Sequence, residues 1–151
     1  IFNFLFELMI SNSSKYALKA VLYLAQHTNE NKKLMVKEIS EAVDVPKAYL
    51  AKLLQELSKN SLISATKGPK GGYFITPENK QLRLFSIIKV IDGVKRIEMC
   101  ILGLEHCNEQ APCPLHRYVS SPKSELLDTF KKMTLQQLCD DIAQNKSHFP
   151  L

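Results

Sequence analysis

The sequence predicts a mostly α-helical chain with a small β-hairpin wing: a winged helix-turn-helix followed by a long C-terminal dimerisation helix. Three observations predict it. Two apolar helical repeats meet at a tight turn around Pro46, the run KGPKGG lies between two short β-rich stretches just after them, and a long apolar stripe recurs at helical spacing from Leu115 to Met133. The 151 residues, 45% hydrophobic with only 5 Gly and 7 Pro, suffice for one modest domain or two small ones sharing a core, and exclude a disordered tail. No apolar run of about 18 residues occurs, which excludes a membrane-spanning helix. The first eight residues, IFNFLFEL, lack the positive flank and small-residue cleavage site of a secretory signal. Residues 1–8 are expected to be a non-native or upstream stub ahead of Met9, with an extra packed strand or helix as the alternative, and the expected compartment is the reducing cytoplasm.

Taken in chain order, Ser11 to Ser14 offer N-caps for a helix over KYALKAVLYLAQH, with Ala17, Val21, Leu24 and Ala25 on one face and Leu18 and Leu22 beside them. The polar run NENKK breaks it. Val36, Ile39 and Val43 mark a short second helix, and Pro46 suits the first position of a third, whose buried stripe is Leu50, Leu53, Leu54 and Leu57. Leu62 to Thr66 and Tyr73 to Thr76 read as strands, joined through Gly68, Gly71 and Gly72, which tolerate positive φ. Pro77 closes that unit. Leu84, Ile87, Ile88 and Ile91 form another helix, stopped by Gly93 as a left-handed C-cap, and the cysteine loop follows. Leu115, Val119, Pro122, Leu126, Phe130 and Met133 continue one stripe through the proline, so a single kinked helix is expected over two. A second copy across a two-fold axis is the simplest cover for that stripe. Thr134 caps a last helix over Leu135 to Gln144. The expected divisions are a winged helix-turn-helix over 9–80, a linker helix and cysteine loop over 81–113, and the dimerisation and C-terminal helices over 114–145.

Charge separates along the same lines. Of the net +5, residues 1–96 hold 15 basic against 8 acidic side chains, and residues 97–151 hold 5 against 7. A helix-turn-helix and a basic-tipped hairpin inside the positive sector point to double-stranded DNA, because lysines and helix N-termini suit phosphate oxygens and a polar-faced helix fits the major groove. Lys47, Ala48, Tyr49 and Lys52 are placed near base edges and phosphates, with packing against the first helix the competing role for Tyr49. Lys67 and Lys70 at the hairpin tip would meet a minor groove or phosphate ridge, on backbone supplied by Gly71 and Gly72.

All four cysteines lie beyond residue 99. Cys100, Cys107 and Cys113 leave six and five residues between them, and His116 follows in CPLH, which makes a metal-ligand constellation. Zinc favours shorter chelate loops, whereas wide gaps suit an iron-sulfur unit; zinc and metal-free redox thiols stay open alternatives. His106 competes with His116. Cys139 stands at helical spacing with Leu135, Leu138 and Ile142 and reads as a small core residue. An enzyme is not expected: a thiol nucleophile needs a base and an oxyanion site, and only His106 and His116 of the same loop offer themselves. Neither a membrane nor a small-molecule substrate is an expected partner.

The opening SKYALKAVLYLA, the stretch VPKAYLAKLLQELSKNSLI, then KGPKGGYFITP, IIKVIDG, the three cysteines and MTLQQL together resemble the Rrf-two family of bacterial winged-helix transcriptional regulators, in its IscR/NsrR-like form, over about residues 9–142. The resemblance implies a homodimer crossed at the long C-terminal helix, two winged helices on a palindromic operator, and an iron-sulfur cluster whose state alters DNA affinity. Two departures matter. Family members commonly leave five residues between the first two cysteines, where this chain has six. In the nitric-oxide branch an acidic residue before the Tyr-Ala-Leu run completes the cluster; that position is Lys15, whose ammonium is no ligand. The resemblance therefore points to the branch with a His after the third cysteine, with Cys100, Cys107, Cys113 and His116 holding a 2Fe-2S cluster, 4Fe-4S remaining open and zinc ranking lower. The rival is a zinc-stabilised or metal-free thiol-sensing winged-helix repressor.

Overall fold

The computed structural model describes residues 10–104 and 109–151, so the expected stub at 1–8, Met9, His106 and Cys107 lie outside the described residues. Helix α1, Asn12–His27, starts at the N-cap Ser11, whose hydroxyl accepts the Ser14 N–H. Its buried face is Ala17, Ala20, Val21, Leu24 and Ala25, while Leu18 and Leu22 are half-buried. Helix α2, Val36–Val43, begins with the Glu38 carboxylate accepting the Met35 N–H at 2.7 Å and ends at Asp44, which adopts φ 54°. Helix α3, Lys47–Lys59, buries Leu50, Leu53, Leu54 and Leu57 as their spacing predicts. Each such leucine contributes roughly 1.5–3 kcal/mol by leaving water. Pro46 stands one position earlier than expected, as the N-cap.

The wing consists of β1, Ser64–Thr66, and β2, Gly72–Phe74, antiparallel with Ala65 opposite Tyr73. Both strands are shorter than their β-rich runs. Leu62 and Ile63 turn into the core instead, and the Ile75 N–H leaves the ladder to donate to Thr28 Oγ1 at 3.1 Å. Thr28 Oγ1 itself donates to the Leu24 carbonyl at 2.6 Å, which ties the wing to the end of α1. A single-residue bridge between Leu34 and Tyr73, with N–H···O distances of 3.0 and 2.8 Å, adds a third edge that the sequence pattern does not announce.

Pro77 opens a one-turn helix α4, Pro77–Lys80, capped by Thr76. The buried Asn79 is its organising residue: Oδ1 accepts from Ser64 Oγ, the Thr76 N–H and Thr76 Oγ1, and Nδ2 donates to the Ser61 carbonyl. Asn79→Ala strands those partners in a largely dry site. It should cost about 1–3 kcal/mol, seen as a lower denaturant midpoint at unchanged slope.

Helix α5, Leu84–Asp92, ends at Gly93, which has positive φ as expected (78°) but an extended ψ of 154° rather than the left-handed helical value. That geometry starts a further short helix, α6, Val94–Glu98, before the cysteine loop. Helix α7, His116–Lys132, runs unbroken with Pro122 inside it. Thr134 caps α8, Leu135–Ala143, through a reciprocal pairing with Gln137. The main core joins α1, α2 and α3 with Ile63, Ile75, Ile87 and Leu135, and the half-buried Cys139 packs against it. A second cluster, Ile10, Ile88 and Ile97, flanked by Leu18, Phe85, Leu127 and Phe130, binds the start of α1 to α5, α6 and α7.

Candidate nucleic-acid interface and cysteine site

Because α3 gives all four leucines to the core, its other face is left to solvent. Lys47, Ala48, Tyr49 and Lys52 are exposed on it, joined by Gln55 and Lys59 toward the wing. Tyr49 takes the packing role that competed for it: its ring stands edge-on to Tyr16 of α1 with centroids 6.0 Å apart and its hydroxyl meets Ser13 Oγ, while 39% of it stays exposed. Lys67 and Lys70 are exposed at the tip of the wing. Between the wing and the end of α3 lies a cleft of about 700 Å³ lined in part by Gln55, Lys59, Lys67 and Met35. Gln55 and Lys59 follow from helical spacing, on the side of α3 opposite its leucines; Met35, which comes just before α2, joins the cleft lining without any signal in the sequence.

The two glycines have steric roles. A Cβ on Gly71 would stand 2.3 Å from the Thr66 carbonyl oxygen, and Gly71 does not use the positive φ expected of it. A Cβ on Gly72, at φ 149°, would stand 2.7 Å from the Leu34 carbonyl oxygen. Both therefore shape the wing, whatever they touch beyond it.

In the cysteine region the fold brings two of the proposed ligands together. Cys100, buried just after α6, has its sulfur 3.5 Å from that of the half-buried Cys113. A disulfide would need about 2.05 Å, so these are two thiols. Two thiolates on one tetrahedral ion at about 2.3 Å would have sulfurs roughly 3.7 Å apart, so the pair fits a shared metal. The Leu102 N–H lowers the Cys100 pKa below the ordinary thiol value; burial opposes it, and Cys113, the Leu104 backbone and the Lys123 ammonium assist. This favours the thiolate, the form that binds metal. Lys123 is held there by donating to the Met99 carbonyl at 2.7 Å. His116 is the first residue of α7, and its N–H donates to the Cys113 carbonyl at 3.0 Å. Among the described residues no cluster of three or more His, Cys, Asp or Glu forms, Cys107 lying outside them. Cys139 behaves differently: burial raises its pKa, with Lys80 opposing and Asp140 assisting.

A family model described as Rrf2, Iron-dependent Transcriptional regulator, matches residues 10–141. The chain belongs to the Rrf2 family. It is thus a transcriptional regulator, from a DNA-binding, non-enzymatic family whose members act as dimers. It is 33% identical over 146 residues to a protein of Aquifex aeolicus (strain VF5) assigned as an HTH-type transcriptional regulator, covering 95% of this chain and 99% of that one. It is 26% identical over 132 residues to the HTH-type transcriptional regulator IscR of Pectobacterium atrosepticum, covering 87% and 79%. Two solved structures share the fold. The T. potens IscR matches with a TM-score of 0.68 at 22% identity over 95% of each chain. CymR, the global cysteine regulator of B. subtilis, matches with a TM-score of 0.68 at 20% identity over 87% and 95%. No helix among the described residues is long and apolar enough to cross a membrane.

Proposed function

We propose that this Rrf2 regulator binds a palindromic operator as a two-fold dimer and that an iron-sulfur cluster, 2Fe-2S by preference, controls its affinity. The carrying observation is the Cys100–Cys113 pair, two adjacent sulfurs with one held toward thiolate, at the junction of α6 and α7. Cys100, Cys107, Cys113 and His116 are the proposed ligands. When bound, the cluster would supply a redox- and nitric oxide-sensitive centre. The chain's own part is to gather the sulfurs: Lys123 fixes the Met99 carbonyl, and the backbone at Leu102 and Leu104 stabilises the Cys100 charge. Along α7, Val119, Pro122, Leu126 and Phe130, with Met133 at its C-cap, stay only half-buried within one chain, and a second copy is proposed to cover them.

Anaerobic purification with a visible spectrum and analysis of iron, sulfide and zinc tests the cofactor. Iron with matching sulfide and a coloured protein is expected. Zinc without colour supports the structural-metal alternative, and no metal at all supports a thiol sensor, which the same sulfur pair favours as the second reading.

For the DNA side, Lys47, Ala48, Tyr49 and Lys52 on α3 and Lys67, Lys70, Gly71 and Gly72 in the wing are the proposed interface. Lys67→Ala with Lys70→Ala should weaken binding to every duplex. The log–log salt dependence should flatten by up to about 0.9 for each phosphate that the variant no longer neutralises. An unaltered slope would remove the wing tip from the interface.

A further inference from the structure

Asp92 is the last residue of α5, the end of a helix where the dipole disfavours a carboxylate. Its position is explained by α1. Ser11 donates its backbone N–H to Asp92 Oδ2 at 3.0 Å and its hydroxyl to Oδ1, while the same hydroxyl accepts the Ser14 N–H at 3.1 Å. Within that first turn of α1, Ser13 Oγ contacts the hydroxyl of Tyr49, which lies in the first turn of α3. Tyr16, three residues on, supports the Tyr49 ring. On the other side, Asp92 leads through Gly93 and α6 to Cys100, and Ile97 of α6 packs in one cluster with Ile10, the neighbour of Ser11. The opening turn of α1 is therefore gripped by the segment that enters the cysteine loop, once by an apolar contact and once by a carboxylate. Through Ser13 and Tyr16 the same stretch of α1 touches Tyr49 of α3.

Resting on the assignment of α3 as the DNA-reading helix, we propose that Asp92 is a positioning residue. Through Ser11 it sets the first turn of α1, and through the Ser13–Tyr49 contact it sets the N-terminal turn of α3. A displacement of the cysteine loop thereby reaches the DNA-reading face within one protomer. A route of this kind is established by coupling between its ends and not by contiguity alone.

The test is amide hydrogen exchange on the full chain as wild type, Asp92→Asn, Tyr49→Phe and the double variant, read over residues 46–52, with residues 135–143 as reference. Either single substitution should speed exchange over 46–52 roughly fivefold, leave the reference unchanged, and add nothing to the other in the double variant. Ser13→Ala, at a half-exposed site, breaks only the Tyr49 contact and should reproduce the effect if Asp92→Asn fails to fold. Uniform acceleration across the chain, no change over 46–52, or multiplicative effects in the double variant would overturn the proposal. Binding to a duplex selected from a random pool by the wild type is measured alongside. Asp92→Asn should lower that affinity about five- to tenfold without altering the salt slope, since every lysine facing the phosphates is retained. A wild type that selects no sequence would refute the DNA assignment, while the exchange data still decide whether Asp92 positions α3.

Discussion

Gly72→Val is expected to displace the wing and to lower stability by about 2–4 kcal/mol, a fall in Tm of roughly 5–15 °C for a chain of this size. The added Cβ would lie 2.7 Å from the Leu34 carbonyl oxygen and 2.9 Å from its carbon, backbone atoms that no rotamer change can clear. Leu34 cannot retreat cheaply, because it exchanges two hydrogen bonds with Tyr73, the residue after Gly72. The φ of 149° adds strain for a β-branched side chain. Gly68→Ala provides the contrast: at φ 105° it is strained too, but open space surrounds its Cβ, so the cost should stay near about 1 kcal/mol. Thermal unfolding of both variants separates steric approach from conformational freedom. Equal losses would show that the Leu34 contact does not constrain the wing. Because Lys67 and Lys70 ride on this hairpin, Gly72→Val should also weaken DNA binding beyond what lost stability explains.

Gly72 also illustrates what was legible in the sequence and what was not. The glycines of KGPKGG predicted a hairpin, and a hairpin is present, but the reason Gly72 must be glycine lies 38 positions earlier in the chain at Leu34. One-residue bridges have no period to detect. Helices with two or more apolar repeats were predictable: the leucines of α3 and the stripe of α7 through Pro122 follow from spacing, because a helix buries i, i+3, i+4 and i+7 together. Helix α6 was hidden, since VKRIE is barely more than one turn and carries too few apolar residues to show a repeat. Ile97 and Ile10 acquire meaning only as members of a cluster drawn from four elements. The same holds for the site. Cys100 and Cys113 were singled out by residue type, and the fold brings their sulfurs side by side. Asp92 carried no signal, because a carboxylate at the end of a helix looks like a solvated charge until Ser11 arrives from the start of the chain.

Cys113→Ala is expected to abolish bound iron and sulfide in anaerobically purified protein while leaving the fold in place. Cys113 is half-buried outside both apolar clusters, and its removal takes away one sulfur 3.5 Å from Cys100. Far-UV circular dichroism should be unchanged and stability altered by less than about 1 kcal/mol, in keeping with a site away from the core. What should vanish is the difference in operator affinity between cluster-loaded and cluster-free protein, typically 1–3 kcal/mol or roughly 5- to 150-fold for such two-state coupling. Cys139→Ala is the matched control. That thiol packs against the main core and burial raises its pKa, so its loss should cost about 1 kcal/mol of stability and leave iron untouched. Iron retained in Cys113→Ala, with the operator response intact, would refute Cys113 as a ligand. If the wild type binds no metal, the same substitution still discriminates: a thiol sensor built on the Cys100–Cys113 pair loses its response to oxidant in Cys113→Ala and keeps it in Cys139→Ala.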